Sequence, residues 1–450
     1  MKIESFYKPD LTQSTPQYRE VLLSENGPLA ALHAFALDET PRFNNQNREQ
    51  APSQDAIDTY IIEVNRRAVS LKGADIGALE PRDLLKVHTA LTLAISSAEF
   101  WEEGACGKLE PAINTALEIG DRFTPELGPW LTTAGYYIYV DPENPYTFTG
   151  SKDEKVFIQL SREAALRYAD AVTLTQAFAF DGTREDVVRI EQTTTLLDDI
   201  GKVYRSFKDQ VNPETFFQYF RKLSFAHSIH GKLYPSKSIA TNPWARAFDT
   251  QMYGLSQQDS VYSEDTQTRM KGKPDINLAS SMVGFDTTIL QASLAGTTLP
   301  HKLGEILGIA VEDLLFSQAD FHAEMATINP DEFDLKRLRQ MVSQKVAEKM
   351  SKLLERRPLE DIKHQIESTG MTETILLIRE LYRRAGEVSA VHSGLVHTYV
   401  TAQRRKSTTE DDKKGSQYGT HGLGGLPIAR VQLLSAIRQH SPLLKLLEKL

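Results

Sequence analysis

One histidine in the C-terminal part of the sequence has the surroundings of a metal ligand. His392 shares a stripe of apolar side chains at helical spacing with Ala385, Val388, Leu395 and Val396. Such a stripe points the imidazole inward, and a neutral imidazole in an apolar pocket suits a haem iron. A core histidine with satisfied hydrogen bonds has the same spacing, so the pattern alone leaves both interpretations open.

An arginine lies among aromatic residues in a second predicted helix. Arg221 follows Phe216, Phe217 and Phe220 at short spacing. Burial of a guanidinium without an anion costs several kcal/mol, so we expect a carboxylate of the protein, a haem propionate or a substrate carboxylate beside it. A structural salt bridge, or a side chain that reaches the surface, is the alternative.

Three further patterns have both a functional and a structural interpretation. Phe157 and Ser161 are four residues apart on one face of a predicted helix, which by itself is ordinary helix packing. The glycine-rich residues Gly419–Gly425 follow a charged tract, which suits a lid over a bound ligand or a plain flexible connection. His227 and His230 could chelate a metal, but no HExxH pattern or carboxylate completes the set.

The elements that must position these residues are predicted to be helices, because apolar residues recur at three- and four-residue spacing after Pro52. The predicted helices are Ala56–Leu71, Pro81–Phe100, Glu110–Ile119, Lys155–Phe180, Arg184–Val211, a helix from Asn212 to about His230, Asp286–Gly308, Phe333–Arg356 and Thr372–Arg404. Residues 1–50 are expected to form an arm or loops, Gly135–Val140 a strand, and 231–280 a long connection. We therefore expect an all-α fold, with an N-terminal arm and small helical region (1–125) and a large helical domain (126–450).

The composition excludes several classes of protein and site. With 40% hydrophobic and 25% charged residues among 450, the chain has the balance of a globular protein. A net charge of −9 leaves no broad basic face for nucleic acid or anionic lipid. Cys106 is the only cysteine, so the chain alone cannot form a disulfide, a thiolate zinc site or an iron–sulfur cluster. Without an apolar run of signal or membrane-spanning length, a cytoplasmic protein without a membrane partner is expected. The oligomeric state stays open.

Several stretches, taken in order along the chain, resemble the indoleamine 2,3-dioxygenases. Residues 211–221, VNPETFFQYFR, are similar to the family pattern VNPxxFFxxxR, which is the most specific of the matches. The other matches are the turn Asp141–Pro145 (DPxxP), Phe157 with Ser161 (FxxxS), Thr287–Gln291 (SSxxQ), His392–Val400 (HxxxVxxYI) and Gly419–Gly422 (GTGG). The resemblance covers roughly residues 130–435 and leaves residues 1–100 unmatched.

The resemblance implies a haem-dependent dioxygenase that uses O2 to open the indole ring of tryptophan or a related indole, giving an N-formylkynurenine-type product. Domain 126–450 would then bind haem b, with His392 as the proximal ligand of the iron. The superfamily also contains monodechloroaminopyrrolnitrin synthase. Rearrangement or monooxygenation of a modified tryptophan is therefore an alternative, and so is a helical haem-binding protein without turnover.

The resemblance also assigns roles around a small aromatic amino-acid or indole substrate. Phe157 and Ser161 would line the distal pocket, and Phe216 would pack on the substrate ring. Arg221 would bind the substrate carboxylate, and Thr420 would contact the substrate from the closing loop. A serine is too weak a base to be essential, so Ser161 is expected to act through a hydrogen bond.

The chain departs from the family pattern at two positions. Ser389 stands three residues before the proposed haem ligand, where the family often has an arginine. His421 stands in the glycine-rich loop, where glycine is usual. The two departures lie on the proximal side of the proposed haem and in the proposed closing loop.

Overall fold

The computed structural model describes residues 27–48, 50–72, 76, 79, 81–102, 104–121, 145–221, 227–229, 232–234, 243–254, 297–316, 335–406 and 428–450. Within these ranges the regular elements are helices apart from one short β-hairpin, so the predicted all-α class is confirmed. None of the helices described there combines the length and the apolar character needed to cross a membrane.

The chain divides into two compact units whose segments alternate along the sequence. Unit 1 comprises Met1–Arg162, Gln210–Asn242 and Gly272–Thr287. Unit 2 comprises Glu163–Asp209, Pro243–Lys271 and Thr288–Leu450. The domain boundary predicted between residues 125 and 126 lies outside the described residues and stays a prediction.

Unit 1 contains the helices of the N-terminal region and three short elements near Arg221 in the sequence. Its elements are α1 (Pro28–Ala34), α2 (Thr40–Gln46), α3 (Gln54–Leu71), α4 (Pro81–Trp101), α5 (Glu110–Gly120), the first part of α6 (Lys152–Gln176), α8 (Pro213–Thr215), β1 (His227–Ile229) and β2 (Lys232–Tyr234). Almost all of α4 is buried from Leu84 to Glu99, and α3 packs on both α4 and α5. This buried helix is the centre of the core of unit 1.

Unit 2 is built from longer helices in the C-terminal part of the chain. Its elements are the rest of α6, α7 (Arg184–Gln210), α9 (Pro243–Tyr253), α10 (Leu299–Leu307), α11 (Val311–Leu314), α12 (Leu335–Arg356), α13 (Leu359–Ser368), α14 (Thr372–Val396), α15 (Ala402–Lys406), α16 (Ile428–Gln439) and α17 (Pro442–Lys449). Helix α14 packs against α16 and α17, and α16 also packs against α12. The candidate haem ligand therefore lies on a helix that other helices surround.

Three predictions of the coarse secondary structure are wrong. Residues 1–50 were expected to lack helices, but α1 and α2 lie there; each has a proline in its first turn, where proline suits a helix. The helix from Asn212 was expected to reach His230, but His227–Ile229 form β1, which pairs with β2. Ile229 and Tyr234 are residue types that are frequent in strands, so this segment suits a short strand as well as a helix end. The connection 231–280 also contains β2 and α9.

Three described segments are π-helical turns, each with a hydrogen-bonding register one residue longer than that of an α-helix. They are Phe35–Glu39, Phe216–Phe220 and His397–Thr401. The second directly precedes Arg221, and the third begins directly after the helix that carries His392. Such turns occur often at functional sites.

Candidate functional site

The start of α6 is fixed by a buried carboxylate. Glu154 is 4% exposed, and its two oxygens accept the backbone N–H groups of Phe148 and Thr149, both at 2.8 Å. Its own N–H donates to Ser151 Oγ at 3.2 Å, so the S-x-x-E sequence caps the helix. Burial raises the pKa of Glu154 above its usual value. These bonds determine where the first turns of α6, and with them Phe157 and Ser161, begin.

The start of α8 lies beside the start of α6. Asn212 caps α8 by accepting the N–H groups of Glu214 and Thr215, and its own N–H donates to Asp153 Oδ2 at 3.3 Å. One turn further along both helices, the Phe157 and Phe216 rings contact each other with centroids 5.2 Å apart and planes tilted by 44°. The second contact lies four residues after the first in both segments, so the two segments run side by side in the same direction.

Ser161 lies one turn after Phe157 on the same face of α6. The residue is fully buried, and in the described part of the chain its Oγ has no hydrogen-bond partner. A buried hydroxyl without a partner costs about 1–3 kcal/mol, so the position is unfavourable for folding alone. A polar group of a bound ligand is a candidate partner for this hydroxyl.

Arg221 directly follows the π-helical turn Phe216–Phe220 and is almost completely buried. It is 2% exposed, and its backbone N–H donates to the Phe216 carbonyl at 3.0 Å, which closes the turn. Its guanidinium carbon lies 5.5 Å from the centroid of the Phe217 ring. Because Phe216 contacts Phe157, the described residues of unit 1 bring the segment that ends in Arg221 against the helix that carries Ser161.

His392 lies in unit 2, where α7 and α14 run side by side in the same direction. Three pairs of residues, each about one turn after the previous pair, join the two helices: Asp198 with Arg384, Gly201 with Val388, and Tyr204 with His392. The Tyr204 and His392 rings are 5.5 Å apart at an angle of 38°, and the Tyr399 hydroxyl donates to the Phe207 carbonyl at 2.6 Å. Helix α7 therefore fixes one flank of His392.

His392, the candidate iron ligand, lies beside buried residues of its own helix. Its neighbours on the same helix stripe, Val388, Leu395 and Tyr399, are between 5% and 8% exposed, whereas His392 itself is partly exposed. Within the described ranges no three His, Cys, Asp or Glu side chains form a metal cluster. A haem iron is held in the porphyrin and takes a single axial histidine in several haem proteins, so a lone histidine is compatible with this kind of ligation.

A pair of buried tyrosines supports the ring that touches His392. The Tyr168 and Tyr204 hydroxyls are hydrogen-bonded to each other, and both residues are under 10% exposed. Burial raises the pKa of Tyr204 to about 12 and also raises that of Tyr168. Both phenols are therefore neutral at physiological pH, and Tyr204 presents an uncharged ring to the imidazole.

Ser389, where the family pattern often has an arginine, takes part in helix packing. Its Oγ donates to Ser435 Oγ on α16 at 3.2 Å, and Ser435 Oγ donates to the Ser389 carbonyl at 2.9 Å. One turn on, the Ser393 hydroxyl donates to the Gln432 side chain, whose amide donates back to the Ser393 carbonyl at 3.1 Å. The small hydroxyl at 389 thus joins α14 to α16 at a buried position, where an arginine would be crowded.

Several predicted site residues lie outside the described residues. These are Thr420 with the glycine-rich loop, the first four residues of the Asp141–Pro145 turn, and Thr287–Gln291. Their roles stay predictions. Of the remaining candidates, Phe157 and Phe216 are in contact in unit 1, Ser161 and Arg221 lie on the same two segments, and His392 lies in unit 2.

Sequence reasoning did not identify Tyr204 as a neighbour of His392. Tyr204 shares an apolar face of α7 with Ile200, Val203 and Phe207. This pattern predicts only that the side chain is buried. Nothing in the helical period of α7 indicates which other helix lies against it.

No known protein-family model matches this sequence, and no curated protein matches it.

Proposed function

We propose that the chain is a haem-dependent dioxygenase that opens the indole ring of tryptophan or a related indole amino acid. The observation that carries the proposal is the combination in unit 1 of the Phe157–Phe216 ring contact with the buried Arg221 guanidinium and the buried Ser161 hydroxyl. Each part of an aromatic amino acid has a complementary group in this set. The proposed location is cytoplasmic, with O2 and the indole as partners.

Arg221 supports an anionic substrate. A guanidinium presents two parallel N–H groups to a carboxylate, and such charge-assisted pairs are about twice as strong as neutral hydrogen bonds. Because Arg221 is 2% exposed, little solvent screening would weaken the pair. Arg221 would bind the substrate carboxylate and so orient the substrate with its aromatic ring against Phe216.

Phe157, Phe216 and Ser161 would act on the ring end of the substrate. The two phenylalanine rings supply apolar surface for an aromatic side chain and exclude water from it. The Ser161 hydroxyl would hydrogen-bond a polar group of the bound substrate, which supplies the partner that its buried oxygen lacks in the described part of the chain. Positioning is the main contribution of these residues.

His392 would hold the haem by ligating its iron, and Tyr204 would restrict rotation of the imidazole by ring contact. When bound, haem supplies the one-electron and O2 chemistry that no side chain of the chain can supply.

The proposal is tested by incubating the purified full chain with haem, a reductant, L-tryptophan and isotopically labelled O2. A product that carries two labelled oxygen atoms, with the mass of N-formylkynurenine, supports the dioxygenase. One inserted atom or a rearranged product supports the runner-up enzyme on a modified tryptophan. A haem absorption band without turnover leaves a non-catalytic haem-binding protein, and the absence of a haem band overturns all three.

A further inference from the structure

The aromatic residue in the π-helical turn beside Arg221 is tied to the N-terminal region of the chain. The Tyr219 hydroxyl donates to Asn45 Oδ1 on α2 at 2.5 Å, and the Asn45 amide donates to the Thr149 carbonyl. The Arg48 guanidinium lies 4.4 Å from the centroid of the Tyr219 ring. Asn45 thus joins the turn that precedes Arg221 to the segment that precedes α6.

Helix α2 is itself held firmly, so it can act as an anchor. The neighbouring Asn44 donates to the Phe148 carbonyl at 2.7 Å and to Ser97 Oγ at 2.9 Å, and it accepts from Trp101 Nε1 at 2.8 Å. Ser97 and Trp101 belong to α4, the buried helix of unit 1. The contacts of Asn45 are therefore made from a rigid base within unit 1.

A π-helical turn has a competing α-helical register that would reposition Arg221. A one-residue shift of register rotates the following side chain by about 100° around the helix axis. Such turns are rare because the α-helical register is usually the more stable. Tyr219 lies two positions before Arg221, inside the π-helical turn. The last hydrogen bond of this turn is donated by the Arg221 N–H, so the contacts of Tyr219 act directly on the turn that places Arg221.

We infer that Asn45 is a positioning residue, which holds the 216–220 turn in its π register through Tyr219 and so directs the Arg221 guanidinium toward a substrate carboxylate. The inference rests on the proposed role of Arg221. It also assigns a function to α2, in the N-terminal region that the family resemblance leaves unmatched. Asn45 would touch neither substrate nor haem.

The test compares two ligands that differ by one carboxylate, L-tryptophan and tryptamine. Binding of each to the haem-loaded full chain is measured by calorimetry for the wild type, Asn45→Ala and Tyr219→Phe. Misdirection of Arg221 is expected to weaken L-tryptophan binding about tenfold in either variant, because the rotated guanidinium loses part of its charge-assisted contact with the carboxylate. Tryptamine binding is expected to change less than about twofold, the usual scatter between independent sites.

Two further variants separate positioning from general destabilisation. Asn65→Ala removes an asparagine that makes two comparable bonds on α3, to the Lys108 carbonyl at 2.7 Å and from the Ala112 N–H at 3.2 Å, and it should leave both affinities unchanged. In an Arg221→Gln background, Asn45→Ala should weaken L-tryptophan binding no further, because the group that it positions is gone.

The possible failures are distinguishable. If the wild type binds neither ligand, the proposed function of Arg221 fails, and the inference fails with it. If the wild type binds L-tryptophan but Asn45→Ala and Tyr219→Phe leave its affinity unchanged, only the inference is overturned. Equal weakening of L-tryptophan and tryptamine also overturns it, since that result indicates a purely structural role.

Discussion

Replacement of Arg221 by glutamine removes the charge that is proposed to bind the substrate carboxylate while keeping a side chain of similar length. A hydrogen bond to a charged group contributes about 1.5–3 kcal/mol, and a guanidinium can offer two to one carboxylate. Because Arg221 is 2% exposed, the upper end of this range applies. A loss of about 3 kcal/mol corresponds to a KM for L-tryptophan that is raised by about 150-fold.

The assay is steady-state turnover of L-tryptophan, together with calorimetric binding of L-tryptophan and tryptamine. Arg221→Gln should weaken only the ligand that carries a carboxylate, and the haem absorption spectrum should be unchanged, since the proposed iron ligand, His392, is left in place. Arg167→Gln is the matched control, because Arg167 pairs with Glu163 at 3.3 Å on an exposed face of α6. That exposed pair is expected to contribute little.

One result would refute the role given to Arg221. If Arg221→Gln binds L-tryptophan as tightly as the wild type and retains haem and fold, the buried guanidinium serves the structure alone. An equal loss for both ligands would point to a change in the pocket rather than to a lost carboxylate contact. Only a loss confined to L-tryptophan supports the proposed pairing.

Three further predictions concern stability. Ser161→Ala should leave the thermal midpoint of the ligand-free protein unchanged or raise it, because it removes a buried hydroxyl that lacks a partner in the described residues; a fall of several degrees in scanning fluorimetry would contradict this. Tyr204→Ala should lower the free energy of unfolding by about 3–5 kcal/mol through the cavity it leaves, and Tyr204→Phe by about 1 kcal/mol; equal losses in urea titrations would show that the ring does not pack as described. Burial, followed by the charge of Lys445, lowers the pKa of His440 below its ordinary 6.5. The unfolded chain therefore binds the proton more tightly than the folded chain. The free energy of unfolding should fall as the pH drops through the ordinary pKa of histidine and below it. His440→Asn should reduce that loss, and an unaltered pH profile would count against the shift.

Sequence periodicity was sufficient to predict the helices that carry the candidate residues. The helices predicted at Arg184–Val211 and Thr372–Arg404 agree closely with α7 and with α14 continued to α15, because long amphipathic segments have a strong helical period. The Asn212-Pro213-Glu214 helix start was also readable, since its cap is formed by neighbours in sequence. Helix caps can be predicted from the sequence because the residues that form them are neighbours along the chain.

Contacts between distant segments could not be predicted in the same way. Nothing in the residues around Asn45 indicates Tyr219, which lies 174 positions further along the chain. The π-helical turn at Phe216–Phe220 was missed because a register shift of one residue leaves the apolar spacing nearly unchanged. The hairpin at His227 was missed because aromatic and serine residues suit both a helix end and a short strand.

The haem content of three purified proteins tests the proposed iron ligand most directly. His392→Ala removes the imidazole on the buried stripe of α14, whereas His397→Ala removes an exposed histidine five residues further along the same segment. After reconstitution, the wild type and His397→Ala should each hold one haem with the same absorption spectrum, and His392→Ala should hold little. Full haem content with an unchanged spectrum in His392→Ala would contradict the assignment of the iron to this residue.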